Sequence, residues 1–126
     1  MNEHLALAKD HLAKAKEFLE AAELNNEYEL YSAAVSNAVT SGINSKDAIC
    51  LKLTRRTGKA EDHTAAVAEL KASGPVGAGL APTLTRLLGL KPKAQYQAKK
   101  MTLNEADSAV TWAQRLYDGA ESVVNS

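Results

Sequence analysis

Two side chains in the middle of the chain, Arg56 and His63, are of types that could do chemistry together. A guanidinium binds phosphate oxygens through two parallel hydrogen bonds, and an imidazole moves a proton near neutral pH. Six residues separate the two, which is short enough for a turn between two helices to bring them within reach. The pair predicts RNA cleavage without a metal ion: Arg56 would hold the scissile phosphate, and His63 would handle a proton of the 2′-hydroxyl or leaving oxygen. A structural role is also open, because cations favour a helix C-terminus and a histidine near a helix start contacts local backbone.

Basic residues are concentrated in the middle of the chain, although the formal net charge is zero. Residues 46–100 contain 11 Lys and Arg against four Asp and Glu, whereas residues 1–29 contain three against seven. Basic side chains around an aromatic are typical of contacts to RNA or phosphate. The residues predicted to make such contacts are Arg55, Lys59, Lys91, Lys93, Tyr96, Lys99 and Lys100. The alternative is that these charges lie on solvated helix faces, or that the acidic ends cover the basic middle within one fold or across a dimer.

The sequence lacks the common signatures of cofactor and metal enzymes. It has no glycine-rich phosphate loop, no His-Glu-x-x-His, no CxxC and no serine nucleophile elbow, so we expect no metal and no cofactor. His4 and His11 are seven residues apart, too far to grip one metal ion, and are predicted to be surface residues. The single cysteine, Cys50, is predicted to be a packed small hydrophobe in a reducing compartment. No run approaches the roughly 20 apolar residues of a membrane span, and we expect a cytoplasmic protein without membrane contact.

A long central helix, predicted from about Glu27 to Thr54, leads directly into this region. Apolar and small residues recur along it at three- and four-residue steps. They are Tyr31, Ala34, Val35, Ala38, Gly42, Ile49 and Leu53. The small ones allow neighbouring helices to come close, so this segment is predicted to be central. Asn44-Ser45 is a weak point where the helix could break, and Gly58 is predicted to supply a left-handed cap.

The remaining segments predict further helices and no sheet. Residues 2–24 are predicted to form the first helix, with an apolar stripe along one face, and Asn25-Asn26 to end it. Asp62 is predicted to cap a helix that runs to about Ala72. The other predicted segments are a mobile connector over 73–79, a helix over 81–90 with Pro82 in its first turn, a polar stretch over 91–100, and a final helix with a Thr102–Glu105 capping box. The sequence therefore predicts one all-α domain over residues 1–126, an up-and-down bundle of four to five helices.

Three stretches resemble one known family when taken in order. Residues 28–38 (YELYSAAVSNA) are similar to its second helix, and Asp62-His63-Thr64 to the histidine at the start of the next one. Lys93-Ala94-Gln95-Tyr96, followed by residues 101–106 (MTLNEA), resembles the entry to its last helix. On this basis residues 5–124 resemble a HEPN (higher eukaryotes and prokaryotes nucleotide-binding) domain of the small stand-alone prokaryotic type.

The resemblance implies a helical bundle that forms a homodimer, usually through the central helices. Many members are metal-independent endoribonucleases, often toxins with a nucleotidyltransferase antitoxin, whose Arg and His meet at the dimer cleft; here these would be Arg56 and His63. The chain departs from the pattern at Thr57, where an Asn is common, and at Ala65, where modified toxins have a Tyr. It also has Gln95 for the usual Asp. Two functions stay open: a module that binds a nucleotide, RNA or protein partner without catalysis, and an endoribonuclease.

Overall fold

Six helices account for most of residues 2–58 and 62–126, the part of the chain that this computed structural model describes. They are α1 (Glu3–Glu27), α2 (Tyr31–Thr54), α3 (His63–Ala72), α4 (Pro75–Gly89), α5 (Lys91–Tyr96) and α6 (Leu103–Val124). Five of them have 10 to 25 residues, and α5 has only six. No strand occurs in the described ranges. The predicted all-α bundle is confirmed.

α2 is the central helix, as predicted, and contacts each of the other five. Its small residues allow close packing against α1, where the Ser41 hydroxyl donates to the Ala15 carbonyl at 2.7 Å. α2 is also continuous through its predicted weak point. The Asn44 side chain donates to the Thr40 carbonyl one turn earlier at 2.9 Å, so its amide bonds within the helix and does not break it.

The turn between α1 and α2 lies later in the chain than predicted. α1 continues through Asn25 and Asn26 because their side chains bond to other helices and do not compete with their own backbone. Asn25 accepts from Asn37 at 2.7 Å, and Asn26 donates to Asp107 at 2.8 Å. The chain reverses instead around Glu29, which adopts a left-handed conformation with φ 62°.

The connection between α3 and α4 is short and closely packed, so the predicted mobile connector over 73–79 is wrong. Pro75 starts α4, where its fixed φ suits a first helical position. Gly77 allows close approach to α3, since a Cβ there would clash with the Leu70 carbonyl oxygen. Pro82 therefore lies inside α4 and not in its first turn.

The start of α6 fixes the basic stretch that precedes it. The predicted capping box is present: the Glu105 amide donates to the Thr102 hydroxyl at 3.2 Å, and the Glu105 carboxylate accepts from the Thr102 amide at 2.9 Å. The backbone amide of Met101 donates to the Ser32 hydroxyl at 3.1 Å. α5 and the residues after it therefore lie along the N-terminal half of α2.

Candidate functional site

The segment that carries Arg56 begins where α2 ends, at a left-handed residue. That residue is Arg55, with φ 64°, and its amide donates to the Leu51 carbonyl at 3.1 Å. The prediction that Gly58 supplies the left-handed cap is wrong, because the reversal occurs three residues earlier. The chain then folds back along α2, which brings Thr57 to the side of the helix.

A buried lysine of α2 binds this segment through a hydrogen bond. Lys46 is 1% exposed, and its Nζ donates to Glu69 Oε1 at 3.0 Å, to Thr57 Oγ1 at 3.1 Å and to Asp47 Oδ1 at 3.2 Å. Thr57 in turn donates to Asp47 Oδ1, and the Gly58 amide donates to Glu69 Oε2 at 2.6 Å. We call Lys46, Asp47, Thr57 and Glu69 the Lys46 cluster. It joins α2, the segment after it and α3.

The charges of the Lys46 cluster stabilise one another. Burial alone would lower the pKa of Lys46, but the hydrogen bond to Glu69 and the charge of Asp47 outweigh it and raise that pKa above its ordinary 10.5. For Glu69 the effect of burial has the opposite sign, and burial alone would raise the pKa of this carboxyl. The hydrogen bonds from Lys46 and Gly58 outweigh this effect and hold that pKa below its ordinary 4.5. Both groups are therefore charged at neutral pH.

Sequence reasoning missed this cluster, although one signal was present. Lys46 lies four residues after Gly42 and three before Ile49, on the apolar stripe of α2. A lysine on a buried stripe must find anionic partners. His11, predicted to be a surface residue, is half-buried, and its Nδ1 lies 2.8 Å from Asn44 Oδ1.

Cys50, one turn after Lys46, is a packed residue as predicted. Its side chain is 2% exposed. Burial is the main reason that the pKa of its thiol is raised to about 11, because a thiolate would be poorly solvated there. Cys50 is therefore a thiol at neutral pH and a poor nucleophile.

Arg56 and His63 line different cavities within one chain. Arg56 is exposed and lines a cavity of about 270 Å³ with Cys50, Thr54, Glu69 and Ala72. His63 is the first residue of α3, is half-buried, and lines a cavity of about 380 Å³ with Thr64, Val67, Thr85, Leu88 and Gly89. No residue is common to the two sets. One chain alone does not bring the two predicted catalytic side chains into one cavity.

The basic residues after α4 have two kinds of surroundings. Lys93 forms an ion pair, with its Nζ 2.9 Å from both carboxylate oxygens of Glu105. The hydrogen bond from Lys93 is the main reason that the pKa of the Glu105 carboxyl is lowered. Lys99 and Lys100 are exposed, and Tyr96 is 76% exposed.

The other predicted phosphate-binding residues are more scattered. Lys91 is half-buried at the start of α5. Arg55 is exposed near the start of α1, where it lines a cavity with Asn2 and Leu5. Lys59 lies outside the described residues. Arg55 therefore lies apart from the basic residues of 91–100.

Two kinds of feature are absent from the part of the chain that the structure describes. Within 2–58 and 62–126, no three His, Cys, Asp or Glu side chains are grouped so that they could hold a metal ion. In the same ranges, no helix combines the length and the apolar character needed to cross a membrane.

Comparison with known proteins identifies the family. The family model described as the HEPN domain matches residues 8–123, nearly the whole chain. The chain therefore belongs to the HEPN domain family, as the resemblance predicted. At the level of the family it is a helical domain related to nucleotides and RNA. No curated protein matches it.

Proposed function

We propose that this HEPN domain binds single-stranded RNA through residues 91–100, without cleaving it. The observation that carries the proposal is the exposure of Tyr96, which is 76% exposed and is followed by the exposed cations Lys99 and Lys100. A base can stack on an exposed aromatic ring, and neighbouring ammonium groups attract the phosphates of the same strand.

The backbone that presents these groups is held in place. Gln95 donates to the Ser36 hydroxyl of α2 at 3.0 Å, and Lys93 pairs with Glu105 of α6. Anchors therefore lie directly before Tyr96 and, through the Met101 amide, directly after Lys100. A surface that is already ordered loses little conformational entropy on binding, which favours a recognition role.

The experiment is a fluorescence-anisotropy titration of a labelled, unstructured RNA oligonucleotide with wild type, Tyr96→Ala and Tyr28→Ala. Tyr28 is the matched control, because it is 74% exposed but lies at the α1–α2 turn outside the basic segment. Loss of one stacked base should raise the Kd about tenfold for Tyr96→Ala. Tyr28→Ala should bind like wild type. Equal affinity of all three proteins would contradict the proposal.

A metal-independent endoribonuclease is the second candidate function. One observation favours it: among the described residues, Arg56 forms no ion pair within 4.0 Å, so its guanidinium has donors available for a phosphate. His63 lies on the next helix and would have to come from a second copy of the chain, since the two side chains line different cavities.

The two candidates are separated by incubating labelled RNA with wild type and His63→Ala in the presence of EDTA. A ribonuclease of this type would give products with wild type and none with His63→Ala. Bound but intact RNA with both proteins is the result that the binding proposal predicts.

A homodimer is part of both proposals. α2 is already covered within one chain, with 13 of its 24 residues buried, so we propose that other helices contribute most of the dimer surface. Light scattering should give a mass about twice the 13.4 kDa of one chain. A nucleotidyltransferase antitoxin, if it modifies this protein, would need a hydroxyl elsewhere, because Ala65 has none.

A further inference from the structure

Lys46 is placed where an ammonium group has no access to water. It is 1% exposed, and its three donors meet three acceptors on Asp47, Thr57 and Glu69. Burying a charge costs several kcal/mol unless it is paired and hydrogen-bonded. An apolar residue at this stripe position of α2 would avoid that cost, so the lysine calls for an explanation other than core packing.

The contacts of the cluster converge on two consecutive residues of the segment after α2. Thr57 is held by Lys46 and Asp47 of α2, and Gly58 is held by Glu69 of α3. A Cβ on Gly58 would lie 2.8 Å from Glu69 Oε2, so a larger residue there would displace this carboxylate. The segment is therefore tied to two helices immediately after Arg56.

The same contacts decide which partner Arg56 can have. Glu69 is the acidic residue among those that line the cavity with Arg56 in the described part of the chain. Both oxygens of Glu69 are already used, Oε1 by the Lys46 ammonium and Oε2 by the Gly58 amide. The charge of Arg56 already contributes to the lowered pKa of Glu69, so without the Lys46 ammonium we expect this carboxylate to turn toward the guanidinium and pair with it.

We infer that Lys46 is a positioning residue: it holds the segment after α2 against α3 and occupies Glu69, so that the Arg56 guanidinium stays available for a phosphate. The phosphate in this statement rests on the second candidate function. The positioning of the segment does not depend on that function, and it can be measured without RNA.

The experiment follows the backbone amide of Gly58 by hydrogen exchange in ¹⁵N NMR spectra of wild type, Lys46→Met and Lys52→Met. Lys52 is the matched control, since it lies six residues further along α2 and its Nζ donates to the Val124 and Ser126 carbonyls. In Lys46→Met, Glu69 turns toward Arg56, and the Gly58 amide should exchange at least tenfold faster than in wild type. Lys52→Met should leave that rate unchanged. An unchanged Gly58 rate in folded Lys46→Met would overturn the inference.

Glu69→Gln provides a second route if Lys46→Met does not fold. It keeps the shape of the side chain and removes the charge that Lys46 neutralises, so Gly58 exchange should again accelerate; wild-type protection in this variant would also overturn the inference. Titration of wild type with inorganic phosphate then tests the ligand part through the Arg56 Nε–H resonance. Loss of Gly58 protection in the variants without any phosphate shift at Arg56 would support the positioning role and remove the phosphate ligand.

Discussion

Lys46 and Lys100 carry the same ammonium group in opposite surroundings. Lys46 lies inside the bundle with three hydrogen-bond partners, two of them carboxylates, whereas Lys100 lies exposed beside the start of α2. A buried charge must be paired, so the partners of Lys46 are part of the fold. An exposed charge keeps its hydration and can exchange it for a phosphate. The role of a basic residue in this chain therefore follows from its surroundings and not from the charge of its sequence neighbourhood.

Removing the buried ammonium should have the largest effect. Lys46→Met leaves Asp47 and Glu69 close together without their cation, which should lower the free energy of unfolding by about 3 kcal/mol. Lys100→Met should change it by less than about 0.5 kcal/mol, because the residue is exposed. Urea unfolding followed by circular dichroism at 222 nm measures both. Similar changes in the free energy of unfolding for the two variants would show that Lys46 is no more important to the fold than the exposed Lys100.

A smaller effect, of opposite sign, is expected at the left-handed residue that leads into the cluster. Arg55 adopts φ 64°, a conformation that costs a residue with a Cβ about 1 kcal/mol relative to glycine. Arg55→Gly should therefore raise the free energy of unfolding by about 1 kcal/mol. Arg56→Gly is the control, since Arg56 has no positive φ and should gain nothing. A loss of stability in Arg55→Gly would mean that the arginine side chain contributes more than its backbone strain costs.

The smallest effect is expected from acid. The pKa of Glu69 is lower in the folded protein than its ordinary 4.5, so the charged cluster contributes stability that is fully present above pH 4.5 and is lost as the pH falls through the folded-state value. The stability difference between wild type and Glu69→Gln should therefore be greatest at neutral pH and should shrink toward pH 3. Thermal unfolding of both proteins across this range checks the sign. A difference that does not change with pH would show that the Glu69 charge does not matter.

Much of the fold follows from the sequence because it depends on local periodicity and caps. The stripe of α2, the Asp62 cap and the Thr102–Glu105 box are all read from neighbouring residues, and all are present except that Leu53, predicted to lie on the stripe, is exposed. The errors have another origin. Asn25-Asn26 and Gly77 were interpreted as breakers, but their behaviour depends on residues of other helices that the local pattern does not contain.

The candidate site was less predictable for the same reason. Arg56 and His63 are close in sequence, yet α3 directs the histidine toward α4 while the Lys46 cluster holds the arginine segment against α2. Lys93 was grouped with the phosphate-binding residues, and only the tertiary structure reveals its pairing with Glu105. Charge composition indicated a basic region; it could not indicate which of its members are already paired.

RNA binding by residues 91–100 is tested by measuring RNA affinity as a function of salt concentration for wild type and for the double variant Lys99→Gln, Lys100→Gln. Each phosphate contact on single-stranded RNA contributes about 0.7 to the slope of log K against log salt, so loss of both lysines should make the slope shallower by about 1.4. We expect this shallower slope together with an unchanged free energy of unfolding. Identical slopes for the two proteins, or affinity that does not respond to salt, would contradict it.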